Sequence, residues 1–353
     1  MKRQFLFVAA LATTPAALAD GRVSGHAPIG VMADHRHKQG EVMTSFRYMR
    51  MEMDGSRIGT DSVSPETIAT TVPNRFFGAP GQPPTLRVVP TNMTMEMYMG
   101  GVMYGLTDRI TLTAMGMYVE KEMDHITFQG PAGTTELGNF TTRSSGFGDT
   151  TFGAIIGLDD GSFADREINL SLAVSVPTGS IGETDQILAP TGATPSPRLP
   201  YPMQLGSGTF DFKPSLTSRR HLGAFSLGAQ LSGVIRLERN DAGYNFGDVG
   251  EATLWTAYEA APWISVSGRV RAETRGAIDG IDPNIAAPVQ TANPDFQGGD
   301  VVEALVGVNL LGQNGVVHGH RLAVEAGFPL YRDLNGPQLE TDFTLTLGWQ
   351  KAF

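Results

Sequence analysis

The chain holds 15 methionines in 353 residues, and apart from Met1 and Met203 all of them fall between Met32 and Met123. Their spacing says more than their number. Met43, Met49, Met51 and Met53 occupy odd positions. So do Met93, Met95, Met97, Met99 and Met103, and again Met115, Met117 and Met123, with His125 next in the same parity. A period of two puts each set on one face of an extended strand. Thioether sulfur is a soft, neutral ligand that favours Cu(I), and by the same softness Ag(I), over hard cations. The same side chain is also a flexible apolar filler that packs irregular space or touches a greasy solute.

Histidine points the same way. His26, His35 and His37 precede the first methionine run, with Met32 between them. His221, His318 and His320 fall at short connections further on. Imidazole binds copper, nickel and zinc. The candidate metal ligands are therefore Met49, Met51, Met53, Met93, Met95, Met97, Met99, Met103, Met115, Met117, Met123 and His125, together with His26, His35 and His37. The ion they suit is Cu(I), and no other cofactor is expected. No serine or carboxylate nucleophile has a histidine placed to serve it, and no phosphate loop or zinc-protease motif occurs. The expectation is a non-enzyme with no catalytic residues.

Composition narrows the setting. There is no cysteine, which removes disulfides, thiolate metal sites and thiol catalysis. A formal charge of −10 and a pI near 5.2 argue against nucleic acid as a partner. Mean hydropathy is −0.10, and beyond the N-terminus no apolar run is long enough for a membrane helix. Residues 1–19 read as an export signal: Lys2 and Arg3, then the apolar stretch Phe5 to Ala12, then Ala17-Leu18-Ala19 as a small-x-small cleavage site. Residues 20–40 are expected as a periplasmic segment carrying histidine and methionine.

From residue 41 to 353 the chain reads in twos. Ile168, Leu170, Leu172, Val174 and Val176 alternate with Glu167, Asn169, Ser171 and Ser175. The same pattern recurs in Ile264/Val266/Val270 against Ser265/Ser267/Arg269/Arg271, and in Phe343/Leu345/Leu347/Trp349 against Thr344/Thr346/Gln350. A soluble sandwich would turn the apolar face inward, whereas a membrane barrel turns it to lipid and keeps a polar bore. Three features favour the barrel: strands of about ten residues or more, short connections alternating with long ones, and a last strand ending on Phe353. Terminal aromatic strands of this kind resemble the assembly signal of Gram-negative outer-membrane proteins. Lys351 sits in the outward register of that strand and can snorkel at the membrane rim.

The expected fold is thus an all-β, antiparallel, up-and-down transmembrane barrel of about 12 strands. They lie near 41–53, 93–105, 109–124, 144–158, 166–177, 207–218, 222–237, 247–260, 262–275, 300–312, 319–330 and 340–353. Long loops are expected at 54–92, 125–143, 178–206, 238–246, 276–299 and 331–339, with 54–92 and 178–206 able to fold over the mouth or into the lumen. An even strand count puts both termini on the periplasmic side. Expected partners are outer-membrane lipid, the outer-membrane barrel assembly machinery and a small-molecule or metal-ion solute.

In such a barrel the even neighbours Phe46, Tyr48, Tyr98, Val102, Tyr104 and Leu112 suit lipid, so the methionines line the bore beside Ser45, Arg47, Thr111 and Thr113. A reversed register would turn the methionines to lipid instead. Glu167, Arg236, Glu238, Arg269, Arg271, Glu273, Arg275, Glu303, Arg321, Glu325 and Asp342 share the inward parity, as a stiffening ladder of ion pairs or as a selectivity lining.

Several motifs carry a family resemblance. Gly146-Phe147-Gly148-Asp149, Val176-Pro177-Thr178-Gly179 and Gly206-Ser207-Gly208-Thr209-Phe210-Asp211 occur in this order. Around them stand His26-Ala27-Pro28-Ile29-Gly30-Val31-Met32, Tyr48-Met49-Arg50-Met51-Glu52-Met53-Asp54-Gly55, Pro200-Tyr201-Pro202-Met203-Gln204-Leu205 and Gly336-Pro337-Gln338-Leu339-Glu340-Thr341-Asp342. Over nearly the whole mature chain the sequence resembles outer-membrane barrel transporters of the phenol meta-cleavage pathway type, in their Met-rich branch. The resemblance implies an outer-membrane location and a transport role, and the family's name suggests aromatic or hydrophobic substrates. Three functions follow as expectations: a channel that handles soft metal along its methionines, a route for hydrophobic or aromatic compounds, or a closed structural barrel.

Overall fold

A computed structural model describes residues 22–159 and 166–353. The expected signal segment 1–19 and most of the short connection 159–165 lie outside the described residues. Fifteen extended elements follow in chain order: β1 (Val42–Gly59), β2 (Asp61–Val63), β3 (Val88–Thr107), β4 (Ile110–Phe128), β5 (Glu136–Phe147), β6 (Thr150–Gly157), β7 (Arg166–Val176), β8 (Asp211–Leu222), β9 (Phe225–Arg236), β10 (Tyr244–Asn245), β11 (Val249–Ala261), β12 (Ile264–Arg275), β13 (Asp279–Gly280), β14 (Gly299–Leu311) and β15 (His320–Ala352). Among the described residues one α-helix, α1 (Pro65–Thr71), and four short 3-10 turns interrupt them.

Neighbours in sequence pair antiparallel all the way round, and β15 pairs with β1, so the sheet closes. Eleven of these elements form the ring, with β2 and β5 bonded beside it. Residues 321–334 of β15 run along β14 and residues 334–352 return along β1. That one element therefore crosses the wall twice, and twelve passes enclose the bore. Closure removes sheet edges that would otherwise expose unpaired N–H and C=O groups.

Alternation decides which face is which. Leu254 is 65% exposed while the adjacent Trp255 is 4% exposed. Val306 and Glu303, on one strand, are 62% and 2% exposed. The apolar parity faces out all round the wall, and the polar parity is buried within the bore. A sandwich core is thereby excluded, because the large aliphatics lie on the outside. Lys351, in the outward register, is held at the rim by His320 Nε2 at 2.8 Å.

The wall continues past the alternating segments. β1 extends to Gly59 rather than 53, and β4 to Phe128 rather than 124. β5 begins at Glu136, inside the expected loop 125–143. Residues 331–339, expected as a long loop, belong to the extended run of β15. Beyond the outward apolar belt the ladder needs only hydrogen bonds, so no alternation marks these strand ends. The expected strand 144–158 is two elements. Tyr118 pairs with Phe147 and Met115 with Thr151, a shift of one residue that marks a bulge at Gly148-Asp149.

Both ends of the bore are covered. At the far rim α1 and the long connections build a cap around Ile68, Leu86, Phe128, Tyr201, Tyr244 and Ile285. Arg87 is fully buried there and donates to the carbonyls of Gln129 at 3.0 Å, Gly130 at 3.0 Å and Gly133 at 2.8 Å. At the short-turn rim residues 22–37, the described part of the expected periplasmic segment 20–40 up to His37, lie inside the bore.

Candidate functional site

Three consecutive wall strands, β1, β3 and β4, bring the methionines together. Their register puts Met53 opposite Met93 and Met93 opposite Met123. Below that row come Met51 with Met95, Met49 with Met97, and Met99 with Met117. Met103 pairs with Met43, and Met115 with Gly101. All carry the inward parity, so the expected thioether wall exists and the reversed register does not occur. Directly opposed residues on one face stand about 4.5–5.5 Å apart at Cβ, within mutual reach for side chains as long as methionine.

The wall has two regions. Toward the cap, Met93 and Met123 are buried against Leu199 and Met203, with Met53 and Leu339 alongside. Here methionine packs a core formed with the connection between β7 and β8. That connection is anchored by residues far apart in sequence. Asp149, at the bulge, accepts from the Gly179 N–H at 2.9 Å and from the Ser207 N–H and Oγ at 2.8 Å each. Thr178 Oγ1 donates to Gly148 O at 2.9 Å. Lys121 Nζ donates to Pro202 O at 2.7 Å, and Ser144 Oγ to Met203 O at 2.7 Å. Removing Asp149 takes the acceptor from the Gly179 N–H and from the Ser207 N–H and Oγ. Asp149→Ala should cost about 1–3 kcal/mol and raise proteolytic nicking within 178–206, read by limited proteolysis.

Toward the short-turn rim, Met43, Met99, Met103 and Met115 line a cavity of about 390 Å³. Its other wall carries Lys213, Glu251 and Arg271, and its floor is Met32, Asp34 and His35. The cavity is methionine on one side and charged on the other. Inward charges form ion pairs of the expected kind: Arg269 with Glu325 at 2.8 Å, Arg271 with Glu303 at 2.7 Å, and Glu167 with Arg219, which was not among the expected residues, at 2.9 Å.

The floor is the N-terminal segment, which touches strands all round the bore. Ser24 Oγ donates to Glu259 at 2.5 Å, and Arg321 donates to the Val23 carbonyl at 2.6 Å. The Gly30 N–H donates to Glu325 at 3.1 Å. Gln230 donates to Met32 O at 2.8 Å and Asn169 to Asp34 O at 3.1 Å. Arg36, fully buried, forms an ion pair with Asp159 at 2.5 Å. Trp255 packs on Ala27 and Val31. Wall glycines make room for this plug: a Cβ at Gly105 would strike Lys38 O, one at Gly157 the Arg36 guanidinium, and one at Gly348 the Ile29 side chain. A Cβ at Gly228 would overlap the Trp255 ring itself. Gly228→Ala should therefore lower stability by about 1–3 kcal/mol, measured by thermal unfolding in detergent.

The expected histidines divide. His26, His35 and His37 meet within the plug, with ring centroids 3.9 Å apart for the first pair and 5.0 Å for the second. His125 stands at the cap end of β4, stacked on Phe140 with centroids 4.5 Å apart. It joins the methionine wall, not the other histidines. Asp34, between the plug histidines, was not singled out from the sequence. It accepts from His35 Nδ1 and the Ala27 N–H, both at 2.7 Å. The run Asp34-His35-Arg36-His37 is the signal that could have found it.

No protein-family model and no curated protein matches the chain. Among solved structures it is similar to an outer-membrane channel from Pseudomonas putida F1, at 16% identity and a TM-score of 0.57, over 92% of this chain and 99% of that one. It is also similar to the toluene transporter TodX of Pseudomonas putida, at 9% identity and a TM-score of 0.43, over 89% and 90% of the two chains. A further likeness is to the toluene transporter TbuX of Ralstonia pickettii, at 10% identity and a TM-score of 0.43, over 90% of each. The first of these likenesses is one of fold.

Proposed function

We propose that the chain is an outer-membrane channel that admits small, largely apolar solutes of aromatic size to its bore. The outward apolar belt meets lipid, the short-turn rim with both chain ends faces the periplasm, and the barrel assembly machinery inserts the chain. The carrying observation is the cavity walled by Met43, Met99, Met103 and Met115. Ligand sites typically measure about 300–1,000 Å³ and are mostly apolar with a few placed polar groups, which describes this one. Methionine suits the task because its flexible, polarizable chain adapts to rings of different shape. The family resemblance and the fold of the Pseudomonas putida F1 channel agree with this reading.

Uptake of a labelled phenol into vesicles carrying the barrel tests it. Leucine at Met99, Met103 and Met115 keeps volume and polarity, so uptake should stay within about threefold of the parent. Met103→Asp sets a charge on the apolar wall and should lower uptake by about tenfold or more. Equal uptake by parent, leucine and aspartate chains would end the reading.

A second reading rests on the paired rows of thioethers. Met49–Met97, Met51–Met95 and Met99–Met117 are direct cross-strand neighbours, and two or three convergent sulfurs suit Cu(I). Leucine at Met93, Met95, Met97 and Met99 should then abolish Cu(I) binding to the refolded barrel. Unchanged affinity removes it.

A further inference from the structure

We propose that His26, Asp34 and His35 form a binding site for a divalent transition-metal ion of the Cu2+, Ni2+ or Zn2+ class, and that this ion fastens the N-terminal plug in the bore. A nitrogen from each imidazole and an oxygen from the carboxylate lie within 4.8 Å of one another. Ligand bonds of about 2.0–2.1 Å require these donors to close to roughly 3.3 Å, a side-chain adjustment within one short loop.

Independent observations point to a ligand here. His26 Nδ1, His35 Nε2 and His37 Nε2 are all buried with no hydrogen-bond partner. A buried polar atom left unpaired is costly, and two of these nitrogens belong to the rings that converge with Asp34. Two of the rings also meet carboxylates: His35 Nδ1 contacts Asp34 at 2.7 Å and His37 Nδ1 contacts Glu41 at 3.1 Å. The first contact brings imidazole and carboxylate of the candidate site together already. Asp34 is itself oriented by the Ala27 N–H. The donors are nitrogen and oxygen, so the site selects borderline divalent ions, unlike the thioether wall.

The loop from His26 to His35 carries Ala27, Val31 and Met32 onto Trp255 and Gln230, so an ion closing it stiffens the part of the plug that grips the wall.

The untagged mature chain, refolded in detergent, is titrated with Zn2+ by calorimetry and with Cu2+ by electron paramagnetic resonance. We expect saturable binding, a Cu2+ spectrum with imidazole nitrogen coupling, and a loss of at least about tenfold in affinity for His26→Ala and for His35→Ala. Asp34→Asn should cost about ten- to a hundredfold. His318→Ala/His320→Ala and the leucine variant of Met93, Met95, Met97 and Met99 should bind as the parent does. Those controls separate this site from both readings of the methionine wall. Parent-like affinity in His26→Ala/His35→Ala, loss of binding in His318→Ala/His320→Ala, or no binding of either ion to the parent overturns the proposal. Should His35→Ala fail to refold, the half-buried His26→Gln decides by the same criteria.

Discussion

A chain carrying Glu325→Ala is expected to lose about 3–5 kcal/mol of stability, because the change leaves the buried Arg269 without its partner. Glu325 Oε1 and Oε2 accept from Arg269 Nε and Nη2 at 2.9 and 2.8 Å, and both side chains are almost wholly buried. Coulomb attraction offsets the desolvation of such a pair only while both charges are present. The carboxylate has a second task, since its Oε2 also accepts the Gly30 N–H. The same substitution therefore loosens the plug at its midpoint. Arg269→Met/Glu325→Leu removes the charges together and should recover most of the loss in wall stability, as apolar replacements of buried pairs often do. It should not restore the Gly30 contact. Urea unfolding reads the first effect and limited proteolysis near residue 30 the second. A single variant as stable as the parent would show that water reaches Arg269 and that the bore is wetter than its burial indicates.

Deleting residues 22–37 should open the bore from the short-turn rim. The plug touches β4, β7, β9, β11 and β15 through Thr111, Asn169, Gln230, Glu259 and Arg321. Those wall groups are polar, so water can replace the plug and the barrel should still fold. The absence of cysteine makes the assay clean. Ser171, which lines the cavity and is buried, can be changed to cysteine as the sole thiol. Its labelling by a charged maleimide should rise by about tenfold or more, as expected if the plug contributes upward of about 1.4 kcal/mol to keeping the site shut. Conductance in planar bilayers should rise with it. If neither changes, the bore is sealed by the cap alone, and the closed-barrel reading gains over the channel.

The period of two determined a great deal by itself. In an extended chain successive side chains face opposite ways, so the parity of Leu254 and Trp255, or of Val306 and Glu303, follows from position alone. The thioether wall was legible for the same reason. Met49, Met97 and Met117 are inward because they are odd in their strands, and neighbours because β1, β3 and β4 are consecutive. The inward ion pairs were legible too, since Arg269 and Glu325 share that parity on strands near in sequence.

Where no periodicity is imposed, the chain alone was silent, and only the tertiary structure decided. Residues 22–41 form no strand, so nothing local says whether they hang free or enter the bore. Their place depends on Arg321, Glu259, Gln230 and Glu325, each separated from them by some two hundred residues or more. The strand ends at Gly59 and Glu136 lie above the apolar belt, where hydrogen bonding continues without any demand on side-chain polarity. Asp149 meets Gly179 and Ser207 only because a bulge turns it to the point where the inserted connection passes. Alternation fixes faces because it is a property of the single strand. Plug, cap and histidine cluster are set by contacts between distant segments, and those depend on closure of the barrel.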